Sequence, residues 1–263
     1  MILTRPGNKR KIVKKIAPFF PDHKLRIEPF FGAGGSFFSL PKPKYSILND
    51  LDGDVVNLYL TVLNKKEQLI EELIKVPVCD GLMKYWYRHQ ETDEVMKAVR
   101  FLFLSNFTYM GKGYTVRYGI DNSKRNILKN IDSVFFSLQD CKIMNVDFRE
   151  VLKKISFSST VTRKSDSFIY MDPCYLETEN FYKVPKWTKQ DTLDCLDIMV
   201  DSGINCAMSE FDHEFVLTEA KKRDLNIIEI GERQNINNRK TEVLITNYYT
   251  SLNVNNEQLK INY

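Results

Sequence analysis

The sequence predicts an α/β protein: a largely parallel sheet built from both ends of the chain, with a mostly helical segment inserted between the second and third strands. Three observations lead there. Apolar runs of strand length alternate with amphipathic stretches over residues 1–64, and the same alternation resumes from about 137 to the C-terminus. Between them, residues 65–136 change character, first to helical periods and then to a Gly/Tyr/Asn-rich stretch without a clear period. A chain of 263 residues can hold one large domain or a core domain carrying such an insertion. The division expected is 1–64 with 137–263, and 65–136 as a second unit.

Taken in order, Asn8 can cap an amphipathic helix through Ile12, Val13 and Ile16 that stops near Pro18. Leu25–Phe31 reads as a buried strand, followed by a glycine loop over Gly32–Gly35 and a short helix. Tyr45–Leu48 is the next strand, ending at Asn49-Asp50, and Val55, Val56, Tyr59 and Leu60 mark a helix. Helical stretches follow at Leu69–Ile74, Met83–His89 and Val95–Leu104, the aromatics of Met83–Arg88 reading as helix core. Later strands are expected at Lys142–Val146, Ser167–Met171, Asn205–Met208, Leu225–Ile230 and Glu242–Tyr249. Helices fit between them at Phe148–Ile155, Lys189–Ser202 and Glu214–Arg223. The polar tail after Ser251 reads as mobile.

Composition narrows the classes. The hydrophobic fraction of 43% is that of a globular protein, and no apolar run approaches the roughly 20 residues a membrane span needs. The charged N-terminus lacks the apolar core of a signal peptide, so a cytoplasmic protein is expected. Five cysteines without C-x-x-C spacing and three scattered histidines suggest reduced thiols and no metal site. The net charge of +4 is mild, but its distribution is uneven. Arg5, Lys9, Arg10, Lys11, Lys14 and Lys15 form one basic stretch. Lys112, Arg117, Lys124, Arg125 and Lys129 form another, interleaved with Tyr109, Tyr114 and Tyr118. Positive charge among aromatics suits nucleic acid, though a solvated basic loop has the same composition.

Two motifs carry chemistry. Pro29-Phe30-Phe31-Gly32-Ala33-Gly34-Gly35 is a strand end turning through glycines, which lets a ligand approach bare backbone. Asp50 closes the next strand, where a carboxylate can accept hydrogen bonds from ribose hydroxyls. No G-x-x-x-x-G-K-[ST] phosphate loop follows. The second motif is Asp172-Pro173-Cys174-Tyr175, at the end of another strand. An exocyclic amino group on a base is a poor nucleophile, because its lone pair is delocalised into the ring. The Asp172 carboxylate and the Pro173 carbonyl could both accept its N–H hydrogens and free that lone pair, while Tyr175 offers a stacking face.

Together the motifs resemble the Dam-type (D12 class) family of DNA adenine-N6 methyltransferases over nearly the whole chain. Gly7-Asn8-Lys9 is similar to the family's opening element, Pro29–Gly35 to its cofactor loop, Asn49-Asp50 to its N-D and Asp147-Phe148 to a later aspartate element. Asp172–Tyr175 resembles D-P-P-Y. The resemblance implies a Rossmann-like class I methyltransferase sheet and S-adenosyl-L-methionine as cofactor. Its contacts would come from Arg5, Gly7, Asn8, Lys9, Phe31, Gly32, Ala33, Gly34, Asp50, Asp147, Phe148 and Asp172. Within that set Lys9 would meet the methionine carboxylate, Asp50 the ribose, and Asp147 with Phe148 the adenine. Asp172, Pro173 and Tyr175 would hold a target adenine flipped out of double-stranded DNA. The insertion would read DNA, with Arg117 or Arg125 on a base edge and Lys112, Lys124 and Lys129 on phosphates, beside Tyr109 and Tyr114.

Two residues depart from the family pattern: Cys174 replaces the second proline, removing a φ restraint, and Arg5 stands where relatives often carry an aromatic. Cytosine N4 or RNA adenine methylation, a non-catalytic DNA-binding protein and a NAD-dependent oxidoreductase are the rival readings. The last has no use for Asp172–Tyr175. A monomer or weak dimer is expected.

Overall fold

The computed structural model describes residues 1–5, 7–118, 123–158, 160, 162–177, 184–234 and 239–250. Within them lies a seven-stranded sheet: β1 (Leu25–Glu28), β2 (Tyr45–Asn49), β3 (Cys141–Met144), β4 (Ser167–Met171), β5 (Asn205–Phe211), β6 (Asn226–Gln234) and β7 (Arg239–Thr246). The spatial order is β3-β2-β1-β4-β5-β7-β6. Strands β1 to β5 pair in parallel, whereas β7 runs antiparallel to both β5 and β6. This order agrees with the Rossmann-like sheet that the resemblance implies.

The central strands explain their own sequences. β1 and β4 are buried along their whole length, as strands covered on both faces must be. In β1 this burial includes Arg26 and Glu28, two charges inside a strand expected to be apolar. Arg26 donates to the Pro41 carbonyl at 2.9 Å, and Glu28 accepts the Ser36 hydroxyl at 2.6 Å.

Nine α-helices lie among the described residues: α1 (Val13–Ile16), α2 (Gly53–Asn64), α3 (Lys66–Lys75), α4 (Asp80–Arg88), α5 (Glu94–Phe107), α6 (Ser123–Leu138), α7 (Phe148–Val151), α8 (Lys189–Asp201) and α9 (Glu214–Lys222). Helices α2 to α6 follow β2 and precede β3. One apolar cluster runs from Phe31 and Leu48 through Val55 and Leu58 to Leu102 and Ile131, so these helices share a core with one face of the sheet. A second, built from Ile27, Ile169, Leu196, Met208 and Val216, fills the other face.

Three expectations change. The N-terminal helix is broken into a 3-10 turn at Lys9–Lys11, α1, and a second 3-10 turn at Ala17–Phe19. The break turns Lys9 inward, where it is 2% exposed, instead of outward with Lys11, Lys14 and Lys15. The stretch read as aperiodic after Arg125 is helix α6, whose Ile127, Ile131, Val134 and Leu138 face the core. Phe148–Ile155 forms only the four-residue α7 and a 3-10 turn. The tail after Ser251 and residues 119–122 of the basic loop lie outside the described residues.

Candidate active site

The topology brings the two motifs together. After β1 the chain crosses to β2 and β3 on one side, and it returns to β4 on the other, so β1 and β4 are neighbours in register, Ile27 beside Ile169. Ligands of open α/β sheets bind outside the carboxyl ends of strands at such a switch point. The glycine loop leaves the end of β1 there, and Asp172–Tyr175 leaves the end of β4.

Around the glycine loop, backbone geometry decides residue identity. Gly32 and Gly34 adopt φ of +52° and +67°, the left-handed region. A side chain on Gly34 would collide with Phe38 and Phe31, whereas the space in front of Gly32 is open. Asp50 braces this turn: one carboxylate oxygen accepts the Gly32 N–H at 2.6 Å, the other the Asp52 N–H at 2.8 Å. Burial raises the Asp50 carboxyl above its ordinary value, against the pull of those hydrogen bonds and of Arg5. Ala33 and Phe31 are buried beside it.

Asn49, fully buried, ties three strand ends together. Its amide donates to the carbonyls of Pro29 and Val146 and accepts the Val146 N–H. That fixes Asp147 and Phe148 relative to the glycine loop. Asp147 caps α7 through the Arg149 N–H, and Arg149 in turn binds Asp191 and Asp194 at 2.6 and 2.5 Å. Phe148 is buried, packed on Phe30 and Trp187 with ring centroids 5.1 and 5.7 Å away.

At the N-terminus, the Asn8 side chain accepts the Arg10 N–H and lies against Gly35, next to Gly7. Arg5 does not stand alone: its guanidinium pairs with Asp52 at 2.7 Å. The two line a cleft of about 210 Å³ between the N-terminal segment and the helices, with Asp54, Arg100 and Lys112 also in its wall.

The Asp172–Tyr175 loop is held from below. The Lys9 ammonium lies 2.6 Å from Glu242 and 3.0 Å from Asp172, and it meets the Tyr175 hydroxyl. That hydroxyl donates to Glu242 at 2.5 Å. The ring of Tyr175 stands edge-on to Phe211 with centroids 4.6 Å apart. Pro173 is buried, and Asp172 and Cys174 are half-buried. Burial, with Asp50 and Asp172 nearby, pushes the Cys174 thiol up to about 12. Behind the loop, Glu210 accepts the Phe211 N–H at 2.8 Å, and burial raises it to about 8 against the pull of the Phe211 and Leu176 N–H groups and of Lys9.

Sequence reasoning missed Glu242, Glu210 and Glu28. Each is a carboxylate embedded in an apolar strand, a pattern that marks a buried charge needing a partner.

The basic loop is more divided than its composition. Tyr109, Tyr114, Arg117 and Arg125 are exposed and Lys112 is half-buried. Lys124 instead folds back on the end of α3 and donates to the carbonyls of Ile74 and Val76 at 2.7 and 2.8 Å. Thr108 and Val116 form a bridge at the base of the loop. Among the described residues no helix is long and apolar enough to cross a membrane, and no group of His, Cys, Asp and Glu side chains is arranged to hold a metal.

Comparison with known proteins shows the family. The model of the D12 class N6 adenine-specific DNA methyltransferases matches residues 6–249. A type II methyltransferase of Lactococcus lactis subsp. cremoris, M1.LlaDCHI, is 25% identical, the match covering 92% of this chain and 93% of the relative. M.MjaIII of Methanocaldococcus jannaschii is 28% identical over 72% of this chain and 73% of its own. A DNA adenine methylase of Vibrio cholerae serotype O1 is 25% identical over 84% and 85%. From residue 6 to residue 249, therefore, this chain belongs to the D12 class of N6 adenine-specific DNA methyltransferases.

Proposed function

We propose that the methyl donor is S-adenosyl-L-methionine, lying across the carboxyl ends of β1 and β2, and that Asp172, Pro173 and Tyr175 receive the target adenine. The observation that carries this is the junction of β1 and β4, which sets the glycine loop and the Asp172 loop side by side. The open backbone at Gly32 and the braced carboxylate of Asp50 fit a ribose-bearing ligand. Phe31, Ala33 and Gly34 continue that wall, Asp147 and Phe148 flank the adenine end, and Arg5, Gly7, Asn8 and Lys9 close the methionine end.

The cofactor supplies an electrophilic methyl group on a sulfonium. The chain does the rest by positioning. The Asp172 carboxylate and Pro173 carbonyl accept the two N6 hydrogens and turn the lone pair towards the methyl carbon. Bound there, the cofactor would give up its methyl group to N6 and leave as a neutral thioether, and one N6 proton would pass to solvent. Fixed acceptors stabilise the positive charge developing on N6.

Residues 65–136 are the target-recognition unit in this reading. Exposed Arg117 and Arg125 read base edges of duplex DNA, Lys112 contacts phosphate, and Tyr109 and Tyr114 stack or wedge. The target base leaves the helix because its N6 is unreachable inside it. The protein acts in the cytoplasm as a monomer or weak dimer.

The test is incubation of purified protein with unmethylated plasmid and labelled S-adenosyl-L-methionine, followed by nucleoside analysis and modification-sensitive sequencing. N6-methyladenine at a short recurring sequence is expected, abolished by Asp172→Ala while cofactor still binds. Full activity in that variant would remove Asp172 from the mechanism.

A further inference from the structure

We propose that Glu242, on the antiparallel strand β7, is a positioning residue for methyl transfer that acts through Lys9 and Tyr175 on the Asp172 carboxylate. The proposal rests on the reading of Asp172–Tyr175 as the loop that holds the target adenine.

The geometry is a chain of contacts running from the sheet to the acceptor. Glu242 is 1% exposed and Lys9 is 2% exposed. A buried ammonium requires a counter-charge, and Glu242 supplies it at 2.6 Å. The same Glu242 oxygen accepts the Tyr175 hydroxyl, so one atom fixes both side chains. In the β5–β7 ladder Glu242 is the register partner of Phe211, whose ring meets Tyr175 edge-on. A single cross-strand pair therefore fixes the Tyr175 ring at its edge and at its hydroxyl. The third contact of the ammonium is Asp172, at 3.0 Å, with 23% of that side chain still open to the site.

Charge gives this arrangement its function. Glu242 neutralises Lys9, which leaves the Asp172 charge to act on the adenine amino group. With Glu242 uncharged, more of the Lys9 charge falls on Asp172, draws it back and weakens it as an acceptor. With Lys9 uncharged, two carboxylates share the site without their cation, and one takes up a proton. Among the described residues, titratable groups facing Asp172 include Glu28 on β1, Tyr170 on β4, Cys174 and Glu210 on β5, all of them acids.

The experiment compares Glu242→Gln, Lys9→Met and the double variant with wild type and Asp172→Ala, as full-length proteins. Single-turnover methylation is read at saturating S-adenosyl-L-methionine across pH, alongside DNA affinity and the thermal midpoint. Glu242→Gln is expected to slow the chemical step by about 100-fold, the cost of a misplaced reacting group, with DNA affinity unchanged. Lys9→Met should move the acid limb of the pH–rate profile to higher pH. The double variant should move that limb back down, because the second carboxylate charge is gone. A purely structural role gives no such reversal. The double variant also replaces the buried charge pair by neutral groups, so the test stands if Glu242→Gln alone fails to fold. An inactive Asp172→Ala beside a wild-type rate in Glu242→Gln, or a double variant that keeps the limb of Lys9→Met, would overturn the proposal. An active Asp172→Ala would instead overturn the reading of the loop, and this proposal with it.

Discussion

Gly35 and Asn8 touch so closely that no side chain fits at residue 35: a Cβ there would lie 2.0 Å from the Asn8 carboxamide oxygen and 3.0 Å from the Lys9 nitrogen. The glycine loop is thus the seat of the N-terminal segment as well as one wall of the candidate cofactor site. Gly35→Ala is expected to push that segment, and Lys9 with it, away from Asp172. Overpacking of this kind costs about 1–3 kcal/mol. Denaturant unfolding should register that loss, and methylation should fall with it. An alanine variant of unchanged stability and rate would show that the segment seats elsewhere.

Asp50 braces the turn, and in the proposed function the same carboxylate meets the ribose. Asp50→Ala leaves the Gly32 and Asp52 N–H groups without their acceptor and removes the proposed ribose partner. Hydrogen bonds to charged groups contribute about 1.5–3 kcal/mol, so cofactor affinity should drop by roughly 10- to 100-fold. Isothermal titration with S-adenosyl-L-methionine reads this directly. DNA affinity in the absence of cofactor is expected to stay unchanged, which separates a local loss from unfolding.

Glu210 predicts how stability changes with pH. Burial raises its carboxyl from 4.5 to about 8 in the folded chain. Protonation therefore favours the folded state, and the stability it contributes is complete below 4.5 and lost as pH rises through about 8. Wild type should weaken across that window, and Glu210→Gln should flatten the slope. Burial raises Glu28 and Asp50 too, so part of the slope remains in the variant. His23, lowered by burial, acts with the opposite sign near its own range and cancels in the difference between the two proteins. Denaturant midpoints measured across pH decide it, and identical slopes would place Glu210 in contact with water.

The sheet was readable because each strand carries its own signal. Ser167–Met171 was bounded to the residue, and β2 to within one, since apolar runs stop where the chain leaves the core. The glycine loop, Asp50 and Asp172 were legible as types at strand ends. Their supports were not. Glu242 lies within β7, separated from Lys9 by nearly the whole chain, and only the antiparallel return of β7 beside β5 brings them together. The N-terminal helix failed for a related reason: its 3.6-residue pattern is real, but burying Lys9 against Glu242 overrides it. Helix α6 shows the reverse. Its apolar spacing at Ile127, Ile131, Val134 and Leu138 was present, masked by the basic residues at its start.

Lys124 and Arg125 are adjacent in sequence and should behave differently on DNA. The Lys124 ammonium is held by the carbonyls of Ile74 and Val76, whereas Arg125 is exposed. A residue that neutralises a phosphate contributes about one unit to the slope of log affinity against log salt. Lys124→Met should leave that slope unchanged and lower stability, because two carbonyls at the end of α3 lose their donor. Arg125→Ala should weaken DNA binding at constant stability. Fluorescence anisotropy on a duplex across salt concentrations tests both, and a reduced slope for Lys124→Met would return that residue to the DNA surface.

Cys174 separates this loop from the D-P-P-Y pattern it resembles, and the chemistry of its thiol decides what the substitution means. A cysteine nucleophile attacks as thiolate, and effective ones are held well below the ordinary thiol value. Here burial, with the carboxylates of Asp50 and Asp172 close by, holds the thiol at about 12. A thiol held that high is protonated at neutral pH, and no covalent part in methyl transfer is expected of it. Two results are expected. Cys174→Ala should methylate at a rate close to wild type, since the Pro173 carbonyl and Asp172 remain. Iodoacetamide at mildly alkaline pH, with the sites mapped by mass spectrometry, should modify Cys174 slowly. Rapid alkylation suppressed by S-adenosyl-L-methionine, together with a dead Cys174→Ala, would instead make the thiol a participant and recast the departure from the family motif as a change of mechanism.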